Sequence, residues 1–227
     1  MKFAVIEGID GSGKSTQIKM LQEYLTGKKI SFEFLHFPRT DSLVYGNLIA
    51  RFLRGEFGPN DKVDPYLVAL IYAGDRKDAA DLINQWLNEN KLVIVDRYVF
   101  SNIAYQCAKL HDENEKNKLR DWIFNFEYNY NKIPKPDINI FLDVPFQFTV
   151  DKLTKNRVGN DRDYLKGAAD IHEENIDFQS KVREMYINLA RTEKSLQMIN
   201  CSENNKMMPA AKIFELLLQC LTKNGIL

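Results

Sequence analysis

Gly8-Ile9-Asp10-Gly11-Ser12-Gly13-Lys14-Ser15 decides how the rest of this chain is read. It follows the apolar run Phe3-Ala4-Val5-Ile6 and leads into a segment whose Ile18, Leu21 and Leu25 share one helical face. The stretch therefore bridges a buried strand and a helix. Its spacing is that of a phosphate-binding loop. Gly8, Gly11 and Gly13 lack a Cβ, which lets backbone N–H groups curl around an anion. Lys14 reaches β- and γ-phosphates as a compact charge, and Ser15 offers its hydroxyl to Mg2+. A helix predicted from Ser15 to about Thr26 aims its unsatisfied N–H groups and positive dipole end at the same anion. Gly8, Ile9, Asp10, Gly11, Ser12, Gly13, Lys14, Ser15 and Thr16 are thus the expected residues for a nucleoside triphosphate, with Mg2+ as its counter-ion.

Beyond this loop, short apolar runs alternate with amphipathic stretches. The predicted strands are Lys2–Glu7, Ser31–Phe37, Leu92–Asp96, Ile138–Asp143 and Ser195–Ile199. Helices are predicted over about Ser15–Thr26, Ser42–Arg54, Pro65–Asn88, Val99–Leu110, Glu115–Asn131, Pro145–Lys155, His172–Thr192 and Pro209–Thr222. Alternation of this kind gives βαβ units and a parallel sheet. The expected class is α/β: a five-stranded parallel sheet flanked by helices, one P-loop domain over residues 1–227. Asp64-Pro65 places an N-cap before a proline at the first helical position. Pro134-Lys135-Pro136 stops a helix and feeds the fourth strand. The least periodic segment, about 156–170, is bracketed by Gly159 and Gly167 and is expected to be a mobile loop.

Composition narrows the setting. Hydrophobic residues make up 44% and charged residues 27%, and Lys plus Arg equals Asp plus Glu at 31 each. Bulk electrostatics thus give no reason to expect a nucleic-acid polymer or a membrane surface as partner. No apolar stretch approaches the length of a membrane span, and Met1-Lys2-Phe3 enters the first strand directly, so a cytoplasmic location is expected. Cys107, Cys201 and Cys220 are odd in number and widely spaced, and read as reduced packing residues. His36, His111 and His172 show no metal-ligand spacing.

Two further constellations carry chemistry. Asp96-Arg97-Tyr98 directly follows Leu92-Val93-Ile94-Val95, and ligand groups in such sheets gather beyond the carboxyl ends of strands. Asp96 there can hold Mg2+, usually through water, and Arg97 can fork onto phosphate oxygens. Phe37-Pro38-Arg39 closes the second strand, so Arg39 projects from the same edge toward a second substrate's phosphate. A neutral hydroxyl acceptor would want a carboxylate base at this position. The nearest acid is Asp41, two residues past Arg39. An acceptor that already carries an anionic phosphate needs no such base, which favours a nucleoside monophosphate.

The loop with Thr16-Gln17, the Phe37-Pro38-Arg39 turn, Tyr72 with Asp75-Arg76, and the run Asp96 to Tyr105 together resemble thymidylate kinase over essentially the whole chain. The resemblance implies a homodimeric P-loop enzyme that transfers the γ-phosphoryl group of ATP to dTMP with Mg2+. It implies that the ring of Tyr72, where the family more often has Phe, stacks on thymine while Arg76 donates to O4. Ser101 and Asn102 are similar to side chains that read the base edge. Tyr105 resembles the residue that crowds the sugar's 2′ position, and Asp10 matches an acid near the acceptor's sugar and phosphate. Phe37, Arg39, Arg97 and Glu173 complete the implied dTMP pocket.

Some relatives carry an arginine inside the phosphate loop, where this chain has Gly11. The segment that follows the sixth helix offers Arg157 and Arg162 in its place, so Lys14, Arg97, Arg157 and Arg162 are the expected catalytic charges. Two registers match the lid motif, Asp161-Arg162-Asp163-Tyr164 and Asp170-Ile171-His172-Glu173. Counting back from Val182-Arg183-Glu184-Met185-Tyr186 favours the second, which puts His172 over the substrate and Glu173 near the acceptor. The assignment of Tyr164, His172 and Glu173 stays open. Alternative readings are a deoxyribonucleoside kinase, a kinase for UMP, CMP or dUMP, and a non-catalytic ATP-binding module.

Overall fold

A computed structural model describes residues 2–154, 164–167, 170–173 and 175–227. Five parallel strands form the centre: β1 (Lys2–Glu7), β2 (Phe32–His36), β3 (Leu92–Asp96), β4 (Ile138–Asp143) and β5 (Leu196–Asn200), in the order β2-β3-β1-β4-β5. Register places Ile6 beside Asp96 and Ile140, and His36 beside Asp96. The carboxyl ends of β1, β2 and β3 therefore meet at one edge, where ligands collect in such sheets.

The strands are almost continuously apolar because helices cover both faces. Phe3, Val5, Val93 and Val95 point into a core closed by α3 (Pro65–Asn88), α4 (Val99–Cys107), α5 (Glu113–Phe124) and α7 (Ile176–Thr192). Ala4, Ile6, Ile94 and Ile140 point the other way, onto α1 (Lys14–Gly27) and α8 (Ala210–Lys223). Two shorter helices, α2 (Tyr45–Leu53) and α6 (Phe146–Leu153), flank the ligand edge. Gly46 opens α2 against the turn after β2: a Cβ there would lie 2.4 Å from the Arg39 carbonyl oxygen, so only glycine admits this packing.

Strand positions follow the sequence expectations within one residue at each end, and the differences lie at helix ends. Asp112 caps α5 by accepting from the Glu115 N–H, starting the helix two residues early. Its continuation over Asn125–Tyr130 is π-helical, not α-helical. That wider turn stacks Trp122 on Phe126 and Phe126 on Tyr130, with ring centroids 5.1 and 5.4 Å apart. α4 ends at Cys107, not Leu110. α2 starts at Tyr45, not Ser42, and the Ser42 hydroxyl instead accepts from the Gly46 N–H. α7 begins only at Ile176, where the Asn175 side chain accepts from the Phe178 N–H. The segment after β5 is a small hairpin, Ser202–Glu203 against Lys206–Met207, turned by Asn204 and Asn205 at φ 50° and 59°. Asn tolerates that left-handed geometry, but two-residue strands leave no periodicity to read.

Candidate active site

The phosphate loop is built as its glycines require. Gly11 and Gly13 have φ of 73° and 81°, the left-handed region that favours glycine. Gly13 is the N-cap of α1, and no side chain caps that end, so the N–H groups of the first turn stay open to an anion. Lys14 Nζ donates to the carbonyl oxygens of Gly8 and Ile9 at 3.2 and 3.3 Å. Burial, with Arg97 close by, lowers the Lys14 ammonium to about 8. An arriving triphosphate stabilises the charged form and moves this group back up. ATP binding at pH 8 should therefore take up about half a proton per site, and markedly less at pH 6.5. Calorimetry in buffers of different ionisation enthalpy reads this directly; proton release at pH 8 would contradict it.

Asp96 ends β3 almost fully buried, with Oδ2 3.2 Å from His36 Nδ1 and Oδ1 without a partner. Burial pushes its carboxyl up, but Lys14 and His36 outweigh that and keep it below the usual range. An ionised, half-satisfied carboxylate beside the phosphate loop and the Ser15 hydroxyl suits Mg2+, a hard cation that retains waters and takes few protein oxygens. No group of three or more His, Cys, Asp or Glu side chains placed to hold a metal ion occurs among the described residues.

Asp10 joins the two halves of the site. Its Oδ1 accepts from Arg97 Nη2 at 2.6 Å, and its Oδ2 accepts from the Tyr105 hydroxyl at 2.7 Å and Gln179 Nε2 at 2.8 Å. Burial raises this carboxyl, yet Arg97, Lys14 and Tyr105 together hold it well below the ordinary range. Arg97 has a positive φ of 65°, an uncommon backbone for a non-glycine residue, which turns its guanidinium back over the Tyr105 ring at 5.3 Å. Beneath them Glu7, fully buried, accepts from the Tyr98 N–H and the hydroxyls of Ser101 and Tyr186. The Ser101 hydroxyl, expected to read the base, is engaged at this junction and also receives Arg97 Nη1.

Arg39 is held by α3. Its N–H and Nε donate to the two oxygens of Asp75, and Nη2 donates to the Asp75 carbonyl and to Asp78. On the same helix, one turn apart, Tyr72 and Arg76 face the far end of the site. Arg76 is buried and forks onto buried Glu127, while Asn102 Nδ2 donates to Glu127 and to the Ala69 carbonyl.

One cavity of about 1170 Å³ unites these parts: Asp10 to Thr16 along the phosphate loop, Phe37 and Arg39 at the β2 end, Tyr72 and Arg76 on α3, and Asp96, Arg97, Ser101, Asn102 and Tyr105. Gly8 and Ile9 stand behind the loop as the acceptors for Lys14. Glu173, His172, Asp170 and Tyr164 line the same cavity; Asp161, Arg162 and Asp163 of the first lid register lie outside the described residues. The His172 ring sits 5.0 Å from Tyr105 and 5.4 Å from Phe52. Burial, followed by the nearby Lys109 charge, lowers His172 to about 3, so it is a neutral aromatic wall. The Tyr164 hydroxyl donates to Asp170, whose carboxyl burial and Asp10 raise to about 7. Arg157 and Arg162 lie outside the described residues. Sequence reasoning missed Glu7, Glu127, Gln179 and Tyr186, because nothing local to them marks a partner as distant as 179 residues.

A family model described as thymidylate kinase matches residues 6–210. A probable thymidylate kinase 1 of Saccharolobus solfataricus is 34% identical over 220 residues, covering 94% of this chain and 97% of that one. A probable thymidylate kinase of Thermococcus kodakarensis is 32% identical over 208 residues, with 89% and 90% covered. The thymidylate kinase of Mycobacterium tuberculosis is 32% identical over 185 residues, with 82% and 84% covered. A solved structure of thymidylate kinase from Candida albicans has the same fold at a TM-score of 0.71 and 23% identity, covering 99% of this chain and 92% of that one.

Proposed function

The chain belongs to the thymidylate kinase family, and on that basis we propose how its own residues carry the γ-phosphoryl group of ATP to dTMP. The reaction gives dTDP and ADP. The observation that carries the residue assignment is the single cavity in which an uncapped phosphate loop faces an Arg–Asn base pocket, with Asp10, Arg97 and Tyr105 between them.

In this reading, the loop N–H groups, Thr16 and Lys14 hold the triphosphate, Lys14 exchanging the Gly8 and Ile9 carbonyls for β- and γ-oxygens. Ser15 and, through water, Asp96 would hold Mg2+, which when bound neutralises charge on those oxygens. dTMP lies across the site with its base over Tyr72 and its phosphate toward Arg39 and Arg97. Phe37 walls the pocket, and Glu173 lies at its lid side. Tyr105, tied to Asp10, crowds the 2′ position. The phosphate oxygen of dTMP is already anionic and attacks in line without a base. Arg97 stabilises the charge that spreads over the transferring group. Arg157 and Arg162 are proposed to add charge from the lid, on the sequence argument alone.

We place the enzyme in the cytoplasm; no helix among the described residues is long and apolar enough to cross a membrane. A homodimer formed through α3 is supported by its exposed Leu67, Leu70 and Leu82; α4, by contrast, is buried within the chain's own core. The test is ADP release with ATP and Mg2+ against dTMP, dUMP, UMP, dCMP, AMP and thymidine. Turnover led by dTMP is expected; turnover only with thymidine would sink the monophosphate assignment.

A further inference from the structure

Asp75 precedes Arg76 on α3, is almost fully buried, and directs its carboxylate onto the turn after β2. Its Oδ2 accepts from the Arg39 N–H at 2.9 Å. Its Oδ1 accepts from Arg39 Nε at 2.9 Å and from the Ser42 hydroxyl at 3.4 Å. The Asp75 carbonyl accepts from Arg39 Nη2 at 2.8 Å. Ser42 in turn accepts from the Gly46 N–H, so one carboxylate ties α3 to the turn and to the start of α2. These contacts leave Arg39 little freedom. Its Nε–Nη2 edge is taken by Asp75 and by the exposed Asp78, and its guanidinium carbon lies 5.9 Å from the centre of the Phe37 ring. Nη1 keeps its protons without a partner among the described residues, and Arg39 lines the large cavity.

We propose that Asp75 is the positioning residue for the acceptor's phosphate: it grips one edge of Arg39 so that the free Nη1 is presented to the ligand. The inference rests on the dTMP reading above. A guanidinium is a planar fork, and holding it along one edge fixes where its remaining donors point. An ungripped arginine would have to give up its rotamer freedom when the anion arrives, and that loss subtracts from affinity. Asp75 also lies within the helical turn that carries Tyr72 and Arg76. The anchor for the phosphate is therefore built into the same rigid element as the residues at the base end of the site.

Charge and placement make opposite predictions here, which supplies the test. Asp75→Asn keeps the size but removes a negative charge near the phosphate, so Coulomb attraction alone would tighten dTMP binding. It also sets an amide donor against the donors of Arg39, so the grip loosens and a positioning role demands weaker binding. Calorimetry should show dTMP weakened at least about tenfold, with thymidine, which lacks the phosphate, unchanged within about twofold. A folded variant that binds dTMP as tightly as wild type, or more tightly, would overturn the inference. Equal losses for dTMP and thymidine would overturn it too, since they would mark general damage. If Asp75→Asn does not fold, Arg39→Lys carries the test, because lysine keeps the charge but cannot fork onto Asp75. It should weaken dTMP at least about tenfold and spare thymidine; wild-type affinity for dTMP would contradict the proposal. Wild-type protein that binds thymidine as tightly as dTMP would instead overturn the functional reading beneath it.

Discussion

Lys14→Met is expected to lower kcat for dTMP phosphorylation by about 10³-fold or more, with no loss of thermal stability. The ammonium sits within reach of the loop carbonyls, close to Arg97, and little of it reaches solvent. Burial and Arg97 press it toward its neutral form, down to about 8 from 10.5. A depressed lysine is one whose charge the fold disfavours, so stability grows as pH rises from about 8 toward 10.5, where only the unfolded chain still binds the proton. Removing the amine relieves this cost, and methionine fills the space of the alkyl stem. The lost function is another matter: no other side chain on the phosphate loop carries positive charge. Steady-state kinetics beside a thermal melt reads both quantities. A variant within tenfold of wild-type kcat would remove Lys14 from the chemistry.

Arg97→Ala should cost a comparable amount, about 10³-fold in kcat, and Arg97→Lys about 10²-fold. The lysine variant keeps a charge but loses the planar fork that reaches Asp10 and Ser101 together. The alanine variant also carries a signature in pH. Burial raises the Asp10 carboxyl, and Arg97 is the strongest influence holding it down. Without Arg97, Asp10 shifts upward, and kcat/KM should gain an acid limb at a higher pH than in wild type. An unchanged profile would show that Asp10 takes its charge from elsewhere.

How much of this was legible depends on whether a residue announces its partner nearby. The phosphate loop, the strand that feeds it and the Asp96-Arg97 pair are contiguous in sequence, and their chemistry follows from spacing. Resemblance brought Arg39, Tyr72, Arg76, Asn102 and Tyr105 to one site, and the fold gathers them there. Glu127 was invisible because a glutamate within a helical pattern reads as solvent-facing; only the π-helical turn and Arg76 explain its burial. Gln179 gave no signal either, although its amide meets both the Asp10 N–H and carboxylate across 169 residues. Ser101 was expected to face the base, but Glu7 takes up its hydroxyl from below. His36, which showed no ligand spacing, pairs with Asp96 because β2 and β3 run in register.

The fate of the transferred phosphoryl group distinguishes a dTMP kinase from an ATP-binding module most directly. Purified protein given ATP labelled at the γ-phosphate, Mg2+ and dTMP should move the label into the terminal phosphate of dTDP, with ADP formed in equal amount. Label found only in inorganic phosphate, with dTMP unchanged, would contradict it: the phosphate loop would then be working without the acceptor pocket.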